Sequence, residues 1–317
     1  MRFTRESATN GTRWLVCLVV VALSATPLAA QGHLLLVGGG SEGADGDPTS
    51  WSFEPFTWFV DKTLAGGPNG GNGRILVIDY EEYPECGQPN EGYCAYFESL
   101  GAVESDTIWL SKNCPADPDC MSSNDPAILP LITSYDGVWF RGGNQALYVQ
   151  AMKNTVAERA LFTVFKDGGA LGGTSAGAMI LSEVASVGDS PSWEATGNPY
   201  HPAIQLETRF LSGKSAVLPD ALVDTHFHQR ARLGRLSVFL GRLFAETGEM
   251  LLGIGLAPET ALTVESDDVG TVRGEGSVSF LQLTPESEVV VQPGKPPYIS
   301  FLGRLRDFGP EIVIDLM

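Results

Sequence analysis

Positive charge is scarce in this chain. Lysine and arginine number 20 against 38 aspartates and glutamates, which gives a formal net charge of −18 at pH 7. Such a surface repels nucleic acid and anionic membranes and favours neutral or basic ligands. Histidine is scarcer still, with 4 in 317 residues, so a catalytic base has few places to stand. Cysteine is limited to 5. Cys86, Cys94, Cys114 and Cys120 show no C-x-x-C spacing and have no histidine nearby, which argues against a zinc site. Asp117, Asp119 and Asp125 lack the spacing of a calcium loop. No metal and no organic cofactor is therefore expected. Beyond the N-terminus no stretch is long and apolar enough to span a bilayer, and there is no internal repeat or low-complexity tract.

The N-terminus is where the apolar run sits. Arg2, Arg5 and Arg13 precede an apolar segment from Trp14 to Leu23, and Ala29-Ala30 supply small residues before Gln31. This order of charge, apolar core and small residues is that of a secretory signal over residues 1–30. The remaining residues, 31–317, are read as a single domain, secreted or periplasmic, with no membrane association after the signal is removed. Loss of the three arginines and one glutamate in residues 1–30 leaves that domain more acidic still. An exported chain with four cysteines suggests two disulfides. Of the three pairings, the two that close short loops, Cys86–Cys94 and Cys114–Cys120, are the first expectation.

His33-Leu34-Leu35-Leu36-Val37 reads as a buried strand that runs into Gly38-Gly39-Gly40. A helix is expected from about Trp51 to Leu64, a strand over Arg74 to Asp79, and a short helix near Tyr93 to Leu100. Further strands are expected at Thr107 to Leu110 and Gly137 to Phe140. A helix near Pro126 to Ser134 separates those two, and another runs from Asn144 to about Phe165, broken near Asn154. Continuous apolar strands that alternate with helices mark an α/β fold with a parallel sheet covered on both faces. After residue 181 the pattern loosens. Asp189 to Pro202 reads as a long loop, Val217-Leu218 and Leu222-Val223 as short strands, and Arg230 to Phe244 as a helix. From Gly253 onward the sequence is β-like, so the sheet is expected to end in antiparallel strands. In such sheets chemistry collects where the strands end.

The stretch that organises the rest is Gly172-Gly173-Thr174-Ser175-Ala176-Gly177-Ala178, flanked by Ala170-Leu171 and Met179-Ile180-Leu181. Residues 173–177 read G-x-S-x-G, the turn from strand to helix that displays a nucleophilic serine. A serine hydroxyl needs a neighbouring base. His33 opens a strand and His201 sits in the long loop. His226 stands at the end of a strand candidate, within Asp224-Thr225-His226-Phe227-His228-Gln229-Arg230-Ala231-Arg232-Leu233-Gly234-Arg235-Leu236. His228 points elsewhere than His226 whether the segment is extended or helical.

Three stretches resemble the cyanophycinase and aspartyl dipeptidase family of serine peptidases, in the right order. That family is similar to D-x-H-F-x-x-R-x-R-x-x-R-L around its histidine, and residues 224–236 carry every fixed position. Gly173 to Ala178 match its G-T-S-A-G-A, and Phe140-Arg141-Gly142-Gly143-Asn144-Gln145 match its F-x-G-G-[DN]-Q. The resemblance spans most of residues 33 to about 265. It implies a class I glutamine amidotransferase-like fold: a three-layer α/β/α sandwich with a mostly parallel, flavodoxin-like sheet and antiparallel strands toward the C-terminus. It implies Ser175 as nucleophile and His226 as base, with an oxyanion hole from the N–H groups of Gly143 and Ala176. It places Gln145 at the substrate site, and Asn144, Thr225 and Arg230 are further substrate-binding candidates.

The third catalytic member departs from the pattern. The family resembles G-[IL]-G-[IL]-D-E-x-T-A, where this chain reads Gly253-Ile254-Gly255-Leu256-Ala257-Pro258-Glu259-Thr260-Ala261. Glu259 stands one position later than the family's acid and would orient His226 if the loop shifts by a residue. Asp224 or a water are the alternatives. The resemblance implies hydrolysis of aspartyl peptide bonds, with a peptide or an arginine-rich polypeptide as partner. Within it, a cyanophycinase cutting β-aspartyl-arginine units is favoured by the D-x-H-F-x-x-R motif, the acidic composition and the signal, with an α-aspartyl dipeptidase as the alternative. A non-catalytic binding protein of the same fold is a second class, and a homodimer is allowed for.

Overall fold

The computed structural model describes residues 32–42, 46–81, 92–188, 190–208, 217–300 and 304–315. The expected signal and Cys86 lie outside these residues. The chain order begins with strand β1 (His33–Val37), helix α1 (Phe53–Ala65), β2 (Arg74–Asp79), α2 (Gly92–Ser99), β3 (Glu104–Ser111) and β4 (Cys120–Ser122). It continues through α3 (Ile128–Ile132), β5 (Gly137–Phe140), α4 (Gln145–Met152), α5 (Val156–Lys166), β6 (Ala170–Thr174) and α6 (Ala176–Met179). Next come β7 (Val184–Ser186), α7 (Ser192–Gly197), β8 (Leu206–Thr208), β9 (Ala221–Asp224), α8 (Leu233–Thr247) and β10 (Leu252–Leu256). The last strands are β11 (Thr260–Val264), β12 (Val269–Gly274), β13 (Val278–Gln282), β14 (Glu288–Val290), β15 (Tyr298–Ser300), β16 (Arg304–Phe308) and β17 (Val313–Asp315).

A 9-stranded sheet runs β17-β12-β11-β1-β6-β5-β2-β3-β4. Its strands from β1 to β4 are all parallel to their neighbours, and β11, β12 and β17 add antiparallel strands at the other edge. The parallel strands read as continuous apolar runs because both faces are covered. In β1, Leu34 and Leu36 enter one core layer, while Leu35 and Val37 enter the layer on the opposite face. That second layer holds α1, whose Phe56 and Phe59 rings lie 5.1 and 5.6 Å from the Trp139 ring of β5. Each such fully buried side chain contributes about 1.5–3 kcal/mol over leaving it in water.

The expected sheet, mostly parallel with antiparallel strands toward the C-terminus, is thus present, and a second one stands beside it. It has 6 strands in the order β16-β13-β10-β9-β7-β8, with β7, β9 and β10 parallel and the other strands antiparallel to their neighbours. Val223, Ile254 and Leu256 of this sheet share the core layer that holds Leu34 and Leu36 of β1. Its other face is covered by α8, which buries Leu236, Phe239, Leu240 and Leu243 at helical spacing. The strands β9 and β10 are as apolar as those of the main sheet, so the sequence pattern cannot tell which sheet they join. The predicted strand at Val217-Leu218 is a bend, and α7 occupies part of the expected loop over 189–202.

Other boundaries follow local chemistry. The helix expected from Asn144 to Phe165 is two helices, because Asn154 turns at φ 61 and Thr155 restarts the chain by accepting from the Glu158 N–H at 3.3 Å. The helix expected from Arg230 begins at Leu233, after Ala231 at φ 48. No helix among the described residues is long and apolar enough to cross a membrane.

Candidate active site

Parallel strands β1, β2, β5 and β6 end at the same edge of the sheet, and the site is built from the turns that leave them. At the end of β6, Ser175 takes φ 51 and ψ −114, a conformation that costs a non-glycine residue about 1–3 kcal/mol. Its N–H donates to the Val37 carbonyl at 2.9 Å, which ties the turn to the end of β1. The flanking glycines are required by contact. A methyl group on Gly173 would lie 2.5 Å from the Gly177 carbonyl carbon, and one on Gly177 would overlap the Phe140 carbonyl oxygen. The turn after β5 packs beside the serine at ordinary contact distance, since a Cβ on Gly142 would stand 3.5 Å from the Ser175 Cβ.

His226 reaches the serine from the end of β9. Its Nε2 lies 2.9 Å from Ser175 Oγ, and its N–H donates to the Gly38 carbonyl at 2.8 Å. Gly39 packs directly on the imidazole, leaving no room for a side chain there. With Ser175 Oγ donating to Nε2, the ring proton sits on Nδ1, which donates to Gln229 Oε1 at 2.9 Å. Burial holds the His226 pKa below 6.5, against the upward pull of the Gln229 hydrogen bond, and the nearby Arg230 and Arg232 add to the lowering. The imidazole is therefore neutral at pH 7 and can accept a proton.

The group hydrogen-bonded to His226 Nδ1 is Gln229, where the sequence pointed to Glu259. Glu259 N–H donates to Gly39 O at 2.7 Å, and Gly38 N–H donates to Thr260 O at 2.9 Å, so this segment stays in register with the end of β1. Both ring nitrogens of His226 are taken by other groups, Nδ1 by Gln229 Oε1 and Nε2 by Ser175 Oγ. Glu259 makes no side-chain hydrogen bond or ion pair among the described residues. Asp224 is not the orienting acid either. It is fully buried and accepts from Arg232 Nη1 at 3.0 Å, from Arg235 Nε at 2.7 Å and from Arg235 Nη2. Arg232 also donates to the Thr225 carbonyl at 2.7 Å, and burial lowers its pKa to about 10. Two arginines and the aspartate of the histidine motif thus form a structural clamp beneath the base.

The expected substrate residues are spread over different environments. Arg230 is exposed and pairs with no carboxylate among the described residues. Gln145 donates its amide to the Ser186 carbonyl at 2.8 Å, so the group that was to meet substrate braces β7. Asn144 caps α4, its Oδ1 accepting from the Ala146 N–H at 2.9 Å. Thr225 is fully buried behind His226 and does not reach the cleft. Ala176 starts α6, so its N–H has no acceptor within the helix. Gly143 sits at φ 131 in the turn beside Ser175, under the Tyr80 hydroxyl that accepts from the Asn144 N–H at 2.9 Å.

A cleft of about 260 Å³ opens over the serine, lined by Gly39, Gly40, Glu42, Tyr93, Arg141, Gly142, Thr174, Ser175 and His226. Sequence reasoning did not single out Glu42, Tyr93 or Gln229. Glu42 follows the glycines after β1, and Gln229 lies three residues after His226, one helical turn's reach from the ring. Arg141, inside the F-x-G-G-[DN]-Q stretch, donates to Asp79 at the end of β2 and to Glu81 at 3.2 Å. Of the other histidines, His33 lies 3.1 Å from Glu265, His201 lies 3.6 Å from Glu194, and His228 Nε2 lies 3.2 Å from Ser279 Oγ. Cys114 and Cys120 are joined, with Cα atoms 5.5 Å apart, and Cys94 is also disulfide-bonded. No group of three metal-ligating side chains is placed to hold an ion among the described residues.

The chain as a whole is similar to known proteins. A cyanophycinase from Synechococcus elongatus is 29% identical over 192 residues, covering 60% of this chain and 52% of that protein. A cyanophycinase from a Nostoc species is 25% identical over 275 residues, covering 86% of this chain and 81% of that protein. The chain is similar to the cyanophycinases. It spans about half the length of the Synechococcus elongatus relative. No family model matches it. The solved structure of a peptidase from an acI-B1 Actinobacterium shares the fold, with a TM-score of 0.52 and 19% identity over 89% of this chain and 98% of the other. The likeness to cyanophycinases thus runs along the strands that carry Ser175 and His226.

Proposed function

We propose that the protein is an exported serine-type exopeptidase that hydrolyses aspartyl peptide bonds, with β-aspartyl-arginine units as its substrate. The observation that carries this reading is the 2.9 Å contact between Ser175 Oγ and His226 Nε2 at the mouth of a strand-end cleft. Relatives named cyanophycinase and the acidic composition support the substrate class.

In the proposed reaction, neutral His226 removes the Oγ proton as the serine oxygen attacks the scissile carbonyl carbon. The N–H groups of Ala176 and Gly143 receive the developing oxyanion. The tetrahedral intermediate collapses as imidazolium Nε2 donates its proton to the leaving amine, which gives an acyl-enzyme on Ser175. Water then attacks the acyl carbon as His226 takes its proton, and the imidazolium returns that proton to Ser175 Oγ as the C–Oγ bond breaks, which releases the acyl group as a carboxylic acid that ionises in water. Gln229 holds the Nδ1 proton in place through both steps. Arg230, unpaired and near His226, is the residue available for a substrate carboxylate.

A binding protein without catalysis is the second reading, favoured by the amide of Gln229 standing where an acid would assist the imidazolium. Incubation with β-aspartyl-arginine separates the two. The peptidase reading expects aspartate and arginine to be released by wild type and not by Ser175→Ala. No release by wild type, under conditions where the protein is folded, overturns it.

A further inference from the structure

The cleft holds a carboxyl group that the proposed chemistry does not use. Glu42 lies on the cleft wall beside Tyr93. Its carboxylate accepts from the Tyr93 hydroxyl at 2.7 Å and pairs with no cation among the described residues. Its position is fixed from behind, because its backbone carbonyl accepts from Ser50 Oγ at 2.7 Å and from Ser52 Oγ. The Tyr93 ring is fixed as well. It stacks on Phe56 at 6.5 Å with planes 5° apart and lies 5.3 Å from Trp139. A carboxylate and an aromatic ring are thus presented at one edge of the cleft, both anchored to the core.

The charge balance of the cleft favours a cation. Arg141 is the only lining residue with a permanent positive charge, and its guanidinium is shared between two carboxylates, Asp79 and Glu81. That group carries net negative charge. His226 is held neutral by burial. Burial also raises the Glu42 pKa, so this carboxylate is under-compensated, and a cation that enters the cleft relieves it.

We propose that Glu42 and Tyr93 form the subsite that selects a guanidinium-bearing residue of the substrate, an inference that rests on the aspartyl peptidase reading of the same cleft. With one Glu42 oxygen committed to Tyr93, the other meets the guanidinium, and the Tyr93 face meets its plane. A compact ammonium keeps the charge contact but loses the planar one. A neutral side chain leaves the carboxylate uncompensated.

The test measures kcat/KM for β-aspartyl-arginine, β-aspartyl-lysine and β-aspartyl-leucine. Wild type is expected to prefer arginine, then lysine, then leucine. Glu42→Gln keeps the size of the side chain and is expected to reduce the arginine-over-leucine preference by about 10- to 100-fold, the range for a hydrogen bond to a charged group. Tyr93→Phe keeps the ring and is expected to reduce it by about three- to tenfold, which provides a second reading should Glu42→Gln not fold. A preference unchanged within twofold in both variants overturns the subsite and leaves the peptidase reading intact. A parallel titration of L-argininamide into the Ser175→Ala protein and its Glu42→Gln derivative needs no turnover. Binding that depends on Glu42, with no aspartyl peptide hydrolysed by wild type, keeps the subsite and overturns the peptidase reading. Binding indifferent to Glu42 counts against the subsite.

Discussion

Replacing Gln229 changes the one hydrogen bond that sets the tautomer of His226. Gln229 Oε1 accepts from Nδ1 at 2.9 Å, and the opposite nitrogen faces Ser175 Oγ at 2.9 Å. Gln229→Ala frees the ring to flip or to protonate the wrong nitrogen. A neutral hydrogen bond contributes about 1 kcal/mol net, and its worth grows as the imidazole becomes charged in the transition state, to about 1.5–3 kcal/mol. The expected loss in kcat is therefore about 10- to 100-fold. Gln229→Glu places a carboxylate at the same atom and acts in the opposite sense on the pH profile. In wild type, burial keeps the His226 pKa below 6.5, so activity persists on acidification through 6.5 and is lost only below the depressed value. A carboxylate favours the imidazolium by a similar 1.5–3 kcal/mol, which moves the acid limb upward by about one to two pH units. The assay is kcat and kcat/KM for β-aspartyl-arginine across pH 4 to 9 on the order of half-unit steps. A Gln229→Ala enzyme within twofold of wild type, or an acid limb that does not move in Gln229→Glu, refutes the assignment of Gln229 as the positioning residue.

Three further outcomes follow from the packing. Asp224→Ala leaves Arg232 and Arg235 buried without their shared carboxylate and is expected to cost about 3–5 kcal/mol in urea denaturation, because an uncompensated buried charge is expensive. Gly177→Ala drives a methyl group into the Phe140 carbonyl and is expected to abolish activity and lower the melting temperature, whereas Gly197→Ala, with open space at its Cβ, serves as the tolerated control. Thr155→Ala removes the acceptor for the Glu158 N–H at the start of α5 and is expected to cost about 1 kcal/mol by chemical denaturation with little change in kcat.

The sequence shows the main parallel sheet because its strands are unbroken apolar runs ending in glycine, as in His33 to Gly40 and Gly137 to Gly143. Ser175 is legible for the same local reason: the glycines on either side are demanded by contacts within the turn. His226 comes from a motif, and the structure places it beside Ser175. The second sheet is not legible, because β7 is three residues long and β9 and β10 carry the same apolar pattern as the strands of the first sheet. Pairing partners are decided by non-local packing, which a period of two does not encode. The orienting group is missed for a different reason. The motif directs attention to Glu259, while the positive φ of His226 and the turn closed by the Arg230 N–H on the His226 carbonyl at 3.0 Å bring Gln229 back onto the ring. Glu42 is silent in the sequence because its significance lies in lining the same cleft as Ser175, which the turns after β1 and β6 share.

The central claim is that Ser175, activated by His226, is a nucleophile. It is tested most directly by incubating the protein with a fluorophosphonate and locating the adduct by mass spectrometry of the intact chain and its peptides. A single adduct is expected on the peptide containing Ser175, slowed in His226→Ala and absent in Ser175→Ala. A wild-type protein that stays unlabelled, or one labelled equally well when Ser175 is alanine, contradicts it.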